Sequence, residues 1–179
     1  MQDAGFVKSV GVCNYGLVPL REIESAGLNL PVVNQLEISP FNTHDDVVAW
    51  CREKGVSLGC GAWSKLSGVD GAPEKWAILA DIGKRKGMTN AQVLVRWSLQ
   101  KGYLCVPRSA STSKIERIAF AENSYGGVNP SGDIFVLSEE EMLVLDSLNV
   151  GLKAGKLGRR DGWDDNDVTG LDWDPANYV

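Results

Sequence analysis

Short apolar runs alternate with longer amphipathic ones along most of this chain. "FVKSVGV" (6–12) reads as a strand, and "LVPLREIESAG" (17–27) as a helix that stops near Gly27. "PVVNQLEI" (31–38) reads as a second strand. "THDDVVAWCREKG" (43–55) has helical spacing, with Thr43 as the expected N-cap, acids in the first turn and Gly55 as the stop. "VSLGCGAW" (56–63) is a third, glycine-rich strand.

Beyond a loop punctuated by Gly and Pro (67–73), "EKWAILADIGKRKG" carries an apolar helical face. "TNAQVLVRWSLQKG" is another helix, opened by a capping box between Thr89 and Gln92. "YLCVP" (103–107) is the fourth strand, and helix is expected again from about Ser113. A Gly/Asn/Pro/Ser-rich insertion (123–133) precedes a last helix, "SEEEMLVLDSLN", boxed by Ser138 and Glu141. Residues 1–150 read as one α/β body and 151–179 as an irregular tail, first basic, then acidic around Trp163 and Trp173.

Four strands each followed by helix imply parallel βαβ units with right-handed crossovers. A small doubly wound sheet and half of an eight-stranded β/α barrel both fit that order. No G-x-G-x-x-G follows a strand and no Walker A sequence occurs, which counts against a Rossmann domain or a P-loop nucleotidase. A whole barrel typically needs about 250 residues, more than the 179 here.

Composition narrows the function classes. Hydrophobic residues make up 44% and charged residues 23%, the profile of a soluble globular protein. No apolar run approaches the roughly 18 residues of a membrane span. A net charge of -5 argues against general binding to nucleic acid or anionic membranes. The cysteines at 13, 51, 60 and 105 form no CxxC pair, and His44 is the sole histidine, so no metal ligand set is expected. Cys60 and Cys105 lie in apolar runs and read as buried free thiols, which suits a reducing, cytoplasmic setting.

In a barrel the active face is built where strands end. The strand exits here carry Cys13-Asn14-Tyr15, Asn34-Gln35, Trp63-Ser64-Lys65-Leu66 and Arg108-Ser109. Amides offer donor and acceptor together, an indole stacks on a flat ring, and a cation before a helix N-terminus seats phosphate. Read without further context, "CVPRSASTSKIERI" (105–118) is a phosphate seat or a strand running into a capped helix, and both descriptions suit one segment.

Taken in order, "VKSVGVCNY", "PVVNQLEISPF", "CREKGVSL", "GAWSKL", "TNAQVLVRWSLQKG" and "VPRSASTSKIERI" strongly resemble the aldo-keto reductases. The resemblance implies a partial (β/α)8 TIM barrel, roughly strands five to eight with their helices, in other words the C-terminal half of such an enzyme. It implies NADP(H) as cofactor and a small-molecule aldehyde or ketone as substrate, reduced to the alcohol by hydride transfer. Asn14 and Gln35 would bind the nicotinamide carboxamide, and Cys13 stands where the family has Ser. Trp63 would stack on the nicotinamide, with Ser64 and Leu66 along the pyrophosphate. Arg108, Ser109 and Lys114 would hold the adenosine 2′-phosphate, while Ile118 replaces the family's Asn. The family's Tyr/Asp/Lys/His acid–base group has no counterpart here, so no catalytic residue is assigned and the chain alone is expected to be inactive. A catalytically dead half-barrel that binds cofactor, pairing with itself or with another half through exposed edges, is the alternative expectation.

Overall fold

The computed structural model describes residues 2, 4–61, 73–106 and 135–149. Its contacts divide the chain into two compact units. One comprises Met1–Leu36 and His44–Gly59; the other comprises Glu37–Thr43 and the described part of Cys60–Gly155. The elements run β1 (Val12–Cys13), α1 (Leu17–Ser25), β2 (Val33–Leu36), α2 (Asp45–Glu53), β3 (Ser57–Gly61), α3 (Pro73–Lys86), α4 (Asn90–Gln100), β4 (Leu104–Val106) and α5 (Glu139–Asp146). This is the expected α/β alternation, with shorter strands.

In the first unit the strand order is β1-β2-β3. β1 lies parallel to β2, with Val12 opposite Asn34 and Cys13 opposite Gln35. Side chains alternate across a strand, so Asn34 and Leu36 turn to one face while Gln35 turns to the other. Asn34, Leu36 and Leu58 are buried, whereas Cys13, Gln35 and Ser57 are exposed. The buried face is completed by Leu20, Val47, Val48, Trp50 and Cys51 from α1 and α2. Each such apolar side chain contributes about 1.5–3 kcal/mol by leaving water. On the surface, Lys54 just past α2 reaches Glu24 of α1 at 2.7 Å.

Two sequence expectations are corrected at β1 and α2. The strand expected over 6–12 shrinks to Val12–Cys13, because strand pairing needs a neighbour and β2 meets only that end in register. A single further bond, from the Val32 N–H to the Val10 carbonyl (2.9 Å), extends the contact. Thr43 is not the cap of α2. His44 occupies that position in a left-handed conformation (φ 49°) without a side-chain cap bond. Asp45 and Asp46 still favour the positive end of the helix dipole.

The second unit is organised around α4. Gln92 through Ser98 are all buried, so this helix is surrounded rather than laid on a surface. The expected capping box is present: Thr89 Oγ1 accepts from the Gln92 N–H, and the Gln92 side chain accepts from the Thr89 N–H. α3 turns directly into α4 past Gly83, where an added β-carbon would lie 2.7 Å from the Met88 carbonyl oxygen. Trp97 packs edge-on to Tyr103 at 5.9 Å and donates its indole N–H to Asp146 of α5 at 2.8 Å. Lys101 holds the second oxygen of the same carboxylate at 2.8 Å. The box between Ser138 and Glu141 opens α5 as expected. Thr43 belongs to this unit, where its hydroxyl accepts from Asn149 Nδ2 at 2.5 Å. Cys60 is buried as expected, but Cys105, between the exposed Leu104 and Val106 of β4, is only partly so.

Among the described residues no helix is long and apolar enough to cross a membrane. The helix expected from Ser113, the insertion at 123–133 and the tail from 151 lie outside the described residues.

Candidate functional site

The exits of β1 and β2 bring together Cys13, Asn14 and Gln35. Parallel pairing sets Cys13 beside Gln35, and paired residues in a sheet project to the same face. The chain then leaves β1 through Asn14, whose φ of 58° lies in the left-handed region. Asparagine tolerates that region better than most residues. The Asn14 N–H donates to the Gln35 carbonyl at 2.8 Å, which ties the two amide-bearing residues together through their backbones.

The next residue is fixed from below. Asn34 is fully buried, and its side chain makes a two-bond clamp on the Tyr15 backbone. Its Nδ2 donates to the Tyr15 carbonyl at 2.7 Å, and its Oδ1 accepts from the Tyr15 N–H at 3.3 Å. A strand residue on the hidden face therefore holds the loop that presents Asn14. Sequence reasoning gave Asn34 no role. The available signal was a fully amphiphilic amide inside the apolar run "PVVNQLEI", which needs partners if buried.

Gln35 lies against the floor formed by Gly59. A β-carbon built on Gly59 would fall 3.3 Å from both Cβ and Cγ of Gln35, so glycine leaves the room that this side chain occupies. Gln35 is exposed and Asn14 half-buried. Neither side-chain amide has a hydrogen-bond partner within the protein among the described residues. Both remain available to a ligand that offers a donor and an acceptor in one plane, as a carboxamide does.

Cys13 contributes little acid–base chemistry. Although the residue is exposed, partial desolvation against its neighbours raises its thiol above the ordinary value. It is a weak donor where a serine hydroxyl would be a strong one. Tyr15 is held through its backbone, next to the amides. Trp63, Ser64, Leu66, Arg108, Ser109 and Lys114 lie outside the described residues. In sequence they follow the ends of β3 and β4, at Gly61 and Val106.

Comparison with known proteins points one way. The sequence profile of the aldo/keto reductase family matches residues 1–125. The uncharacterized oxidoreductase YtbE of Bacillus subtilis is 29% identical over 151 residues, which cover 84% of this chain and 49% of that protein. Glycerol 2-dehydrogenase (NADP(+)) of Hypocrea jecorina is 32% identical over 120 residues, 64% of this chain and 37% of that one. Among solved structures, the aldose reductase of Schistosoma japonicum superposes with a TM-score of 0.66 at 26% identity, covering 87% of this chain and 46% of that one. The chain thus spans half or less of the length of these relatives.

Proposed function

Because the chain belongs to the aldo/keto reductase family, we propose that it is the NADP(H)-holding part of a carbonyl oxidoreductase, its strands corresponding to five through eight of a (β/α)8 barrel. Asn14 and Gln35 bind the nicotinamide carboxamide. The observation that carries this reading is the pair of unengaged amides, one from each of two adjacent strand exits, joined by the bond from Asn14 N–H to Gln35 C=O at 2.8 Å. Cys13 stands beside them as a weaker donor than serine. The family resemblance extends the site to Trp63 against the nicotinamide ring and to Ser64 and Leu66 along the pyrophosphate. Arg108, Ser109 and Lys114 take the 2′-phosphate, where a guanidinium offers two parallel bonds. The Hypocrea jecorina relative is an NADP(+) dehydrogenase by name, which supports NADP over NAD.

Held by these residues, a nicotinamide would supply hydride to the carbonyl carbon of an aldehyde or ketone. The residues of this chain orient its ring and select the phosphorylated cofactor. Reduction also needs a proton donor about 2.6–3.2 Å from the carbonyl oxygen. We assign that role to no residue here; the family resemblance gives it to a Tyr/Asp/Lys/His group. The setting is cytoplasmic, in keeping with four free thiols.

Titration of the chain with NADPH and with NADH, followed by cofactor fluorescence, tests the reading. Saturable binding that favours NADPH and weakens in Asn14→Ala and Gln35→Ala is the expected result. Absence of saturable binding would overturn it. Little or no NADPH-dependent reduction of a generic aldehyde is expected from the chain alone.

The second reading, a half-barrel that pairs with itself or with another half, is favoured by one observation. Leu104 and Val106 of β4 remain 56% and 49% exposed. Sedimentation of the pure chain separates the two: a stable dimer supports pairing, and a monodisperse monomer that binds NADPH removes it.

A further inference from the structure

The side of the first sheet that bears Cys13 and Gln35 carries no charged residue among those described. Cys13 pairs with Gln35, Gly59 lies beside Gln35, and alternation along the strands puts Val33 and Ser57 on the same side. Gly11 borders it too, since a β-carbon there would lie 2.6 Å from Val33 Cγ1. β1 and β3 thus bring small residues to this side, and β2 brings Val33 and Gln35. Apart from Lys8, every Lys, Arg, Asp and Glu described in this unit lies on α1, on α2 or at Lys54. Those helices cover the opposite, buried side, and Lys8 precedes β1. Among the described residues of this unit, the one ionisable side chain on the open side of the strands is the Cys13 thiol, which is neutral at pH 7 at its ordinary value.

On the reading of Asn14 and Gln35 as the carboxamide seat, we propose that the seat is selective: it takes the primary carboxamide of the cofactor ring and refuses the corresponding carboxylate. Each of the two side chains ends in an amide, with N–H donors and a carbonyl acceptor. A carboxamide answers both kinds of group. A carboxylate brings acceptors only. It can take N–H bonds from Asn14 and Gln35, but it leaves their carbonyl oxygens without a donor. It also gives up its water with no cation on this side of the strands, among the described residues, to replace it.

The choice turns on Gln35. It is exposed on the middle strand of β1-β2-β3, and glycine at 59 keeps the space beside its Cβ and Cγ clear. The bond from Asn14 N–H to the Gln35 carbonyl, at 2.8 Å, presents both amides from one place. A lysine at position 35 sets a cation where the amide stood, in the same open space, and so favours the carboxylate. A methyl ketone in place of the carboxamide keeps the acceptor and lacks the N–H donors, so it ranks between the other two. It loses about twofold to tenfold in affinity relative to the carboxamide, and the carboxylate about tenfold to a hundredfold.

Calorimetric titration of the full chain with three oxidised dinucleotides tests this. They are NADP, its 3-acetylpyridine analogue and its nicotinic acid analogue, which share the adenosine 2′-phosphate end and differ only at the ring substituent. The expected order of affinity is carboxamide, acetyl, acid, with the acid at least about tenfold weaker than NADP. In Gln35→Lys the acid is expected to bind more tightly than NADP. Equal affinity of the wild type for NADP and the acid would overturn the selectivity while leaving the cofactor reading in place. Binding of none of the three would overturn both. Discrimination in the wild type that survives unchanged in a folded Gln35→Lys would place the choice elsewhere and overturn the role given to Gln35. If Gln35→Lys does not fold, the wild-type ranking alone decides.

Discussion

Asn34 grips Tyr15 by both of its backbone polar groups, at 2.7 Å and 3.3 Å, although the two residues stand 19 positions apart. The clamp fixes where the chain leaves β1, one residue after Asn14. Asn34→Leu keeps the approximate volume and removes both bonds. Losing a partner from a shielded backbone group costs about 1–3 kcal/mol. A urea melt of Asn34→Leu is expected to show a loss of that size, together with weaker NADPH binding. Asn34→Leu binding NADPH as wild type would show that the clamp supports only the fold.

Gly59 and Gln35 give a prediction that separates site from fold. Gly59→Ala places a methyl 3.3 Å from Gln35 Cβ and Cγ, tight enough that the glutamine side chain must shift by a few tenths of an ångström. Losing one hydrogen bond to a ligand is worth about 0.5–1.5 kcal/mol, or roughly twofold to tenfold in affinity. NADPH affinity is therefore expected to fall by about that factor while the melting temperature changes little. A large drop in melting temperature at unchanged affinity would contradict this placement of Gln35.

What was legible in the sequence follows the range of each interaction. Both capping boxes, Thr89 with Gln92 and Ser138 with Glu141, span four residues and are decided locally. The order of strands and helices is legible for the same reason, because periodicity is a local signal. Thr43 has the right chemistry for an N-cap, yet its hydroxyl pairs with Asn149, 106 residues on, which no local pattern reveals. The alternation in "FVKSVGV" is real, but an edge strand extends only as far as its neighbour pairs with it in register, and β2 does so at Val12 and Cys13, with one further bond at Val10. At the candidate site, the amides Asn14 and Gln35 stand out as polar groups at strand exits. The supporting pair, Asn34 below and Gly59 beside, depends on contacts across strands and is visible only in the fold.

The clasp between α4 and α5 makes its own prediction. Asp146 accepts from the Trp97 indole N–H and from the Lys101 ammonium, each at 2.8 Å. Trp97 is fully buried, so Asp146→Ala strands its N–H and is expected to destabilise by about 1–3 kcal/mol. Asp146→Asn keeps an acceptor for the indole and loses only a partly exposed ion pair, worth at most about 1 kcal/mol. Chemical denaturation should rank the variants wild type, Asn, Ala. Equal losses for Asn and Ala would mean that charge, not the indole bond, holds the clasp.

Alkaline pH provides the last test, through Cys51. Burial raises this thiol above its ordinary value of 9.0, and a weaker opposing effect comes from the hydrogen bond with Asn34. The sign follows from proton counting. As pH rises through about 9, the unfolded chain loses the thiol proton while the folded chain keeps it, so the unfolded state binds fewer protons and stability falls. The contribution is complete below the unfolded value and is lost above it, toward the folded value. One group changes stability by at most about 1.4 kcal/mol per pH unit. Urea melts between neutral pH and pH 10 should therefore show a steeper decline for wild type than for Cys51→Ala, whose curve lacks this thiol. Parallel curves would mean that Cys51 titrates alike in both states, and that the Asn34 hydrogen bond offsets the whole effect of burial.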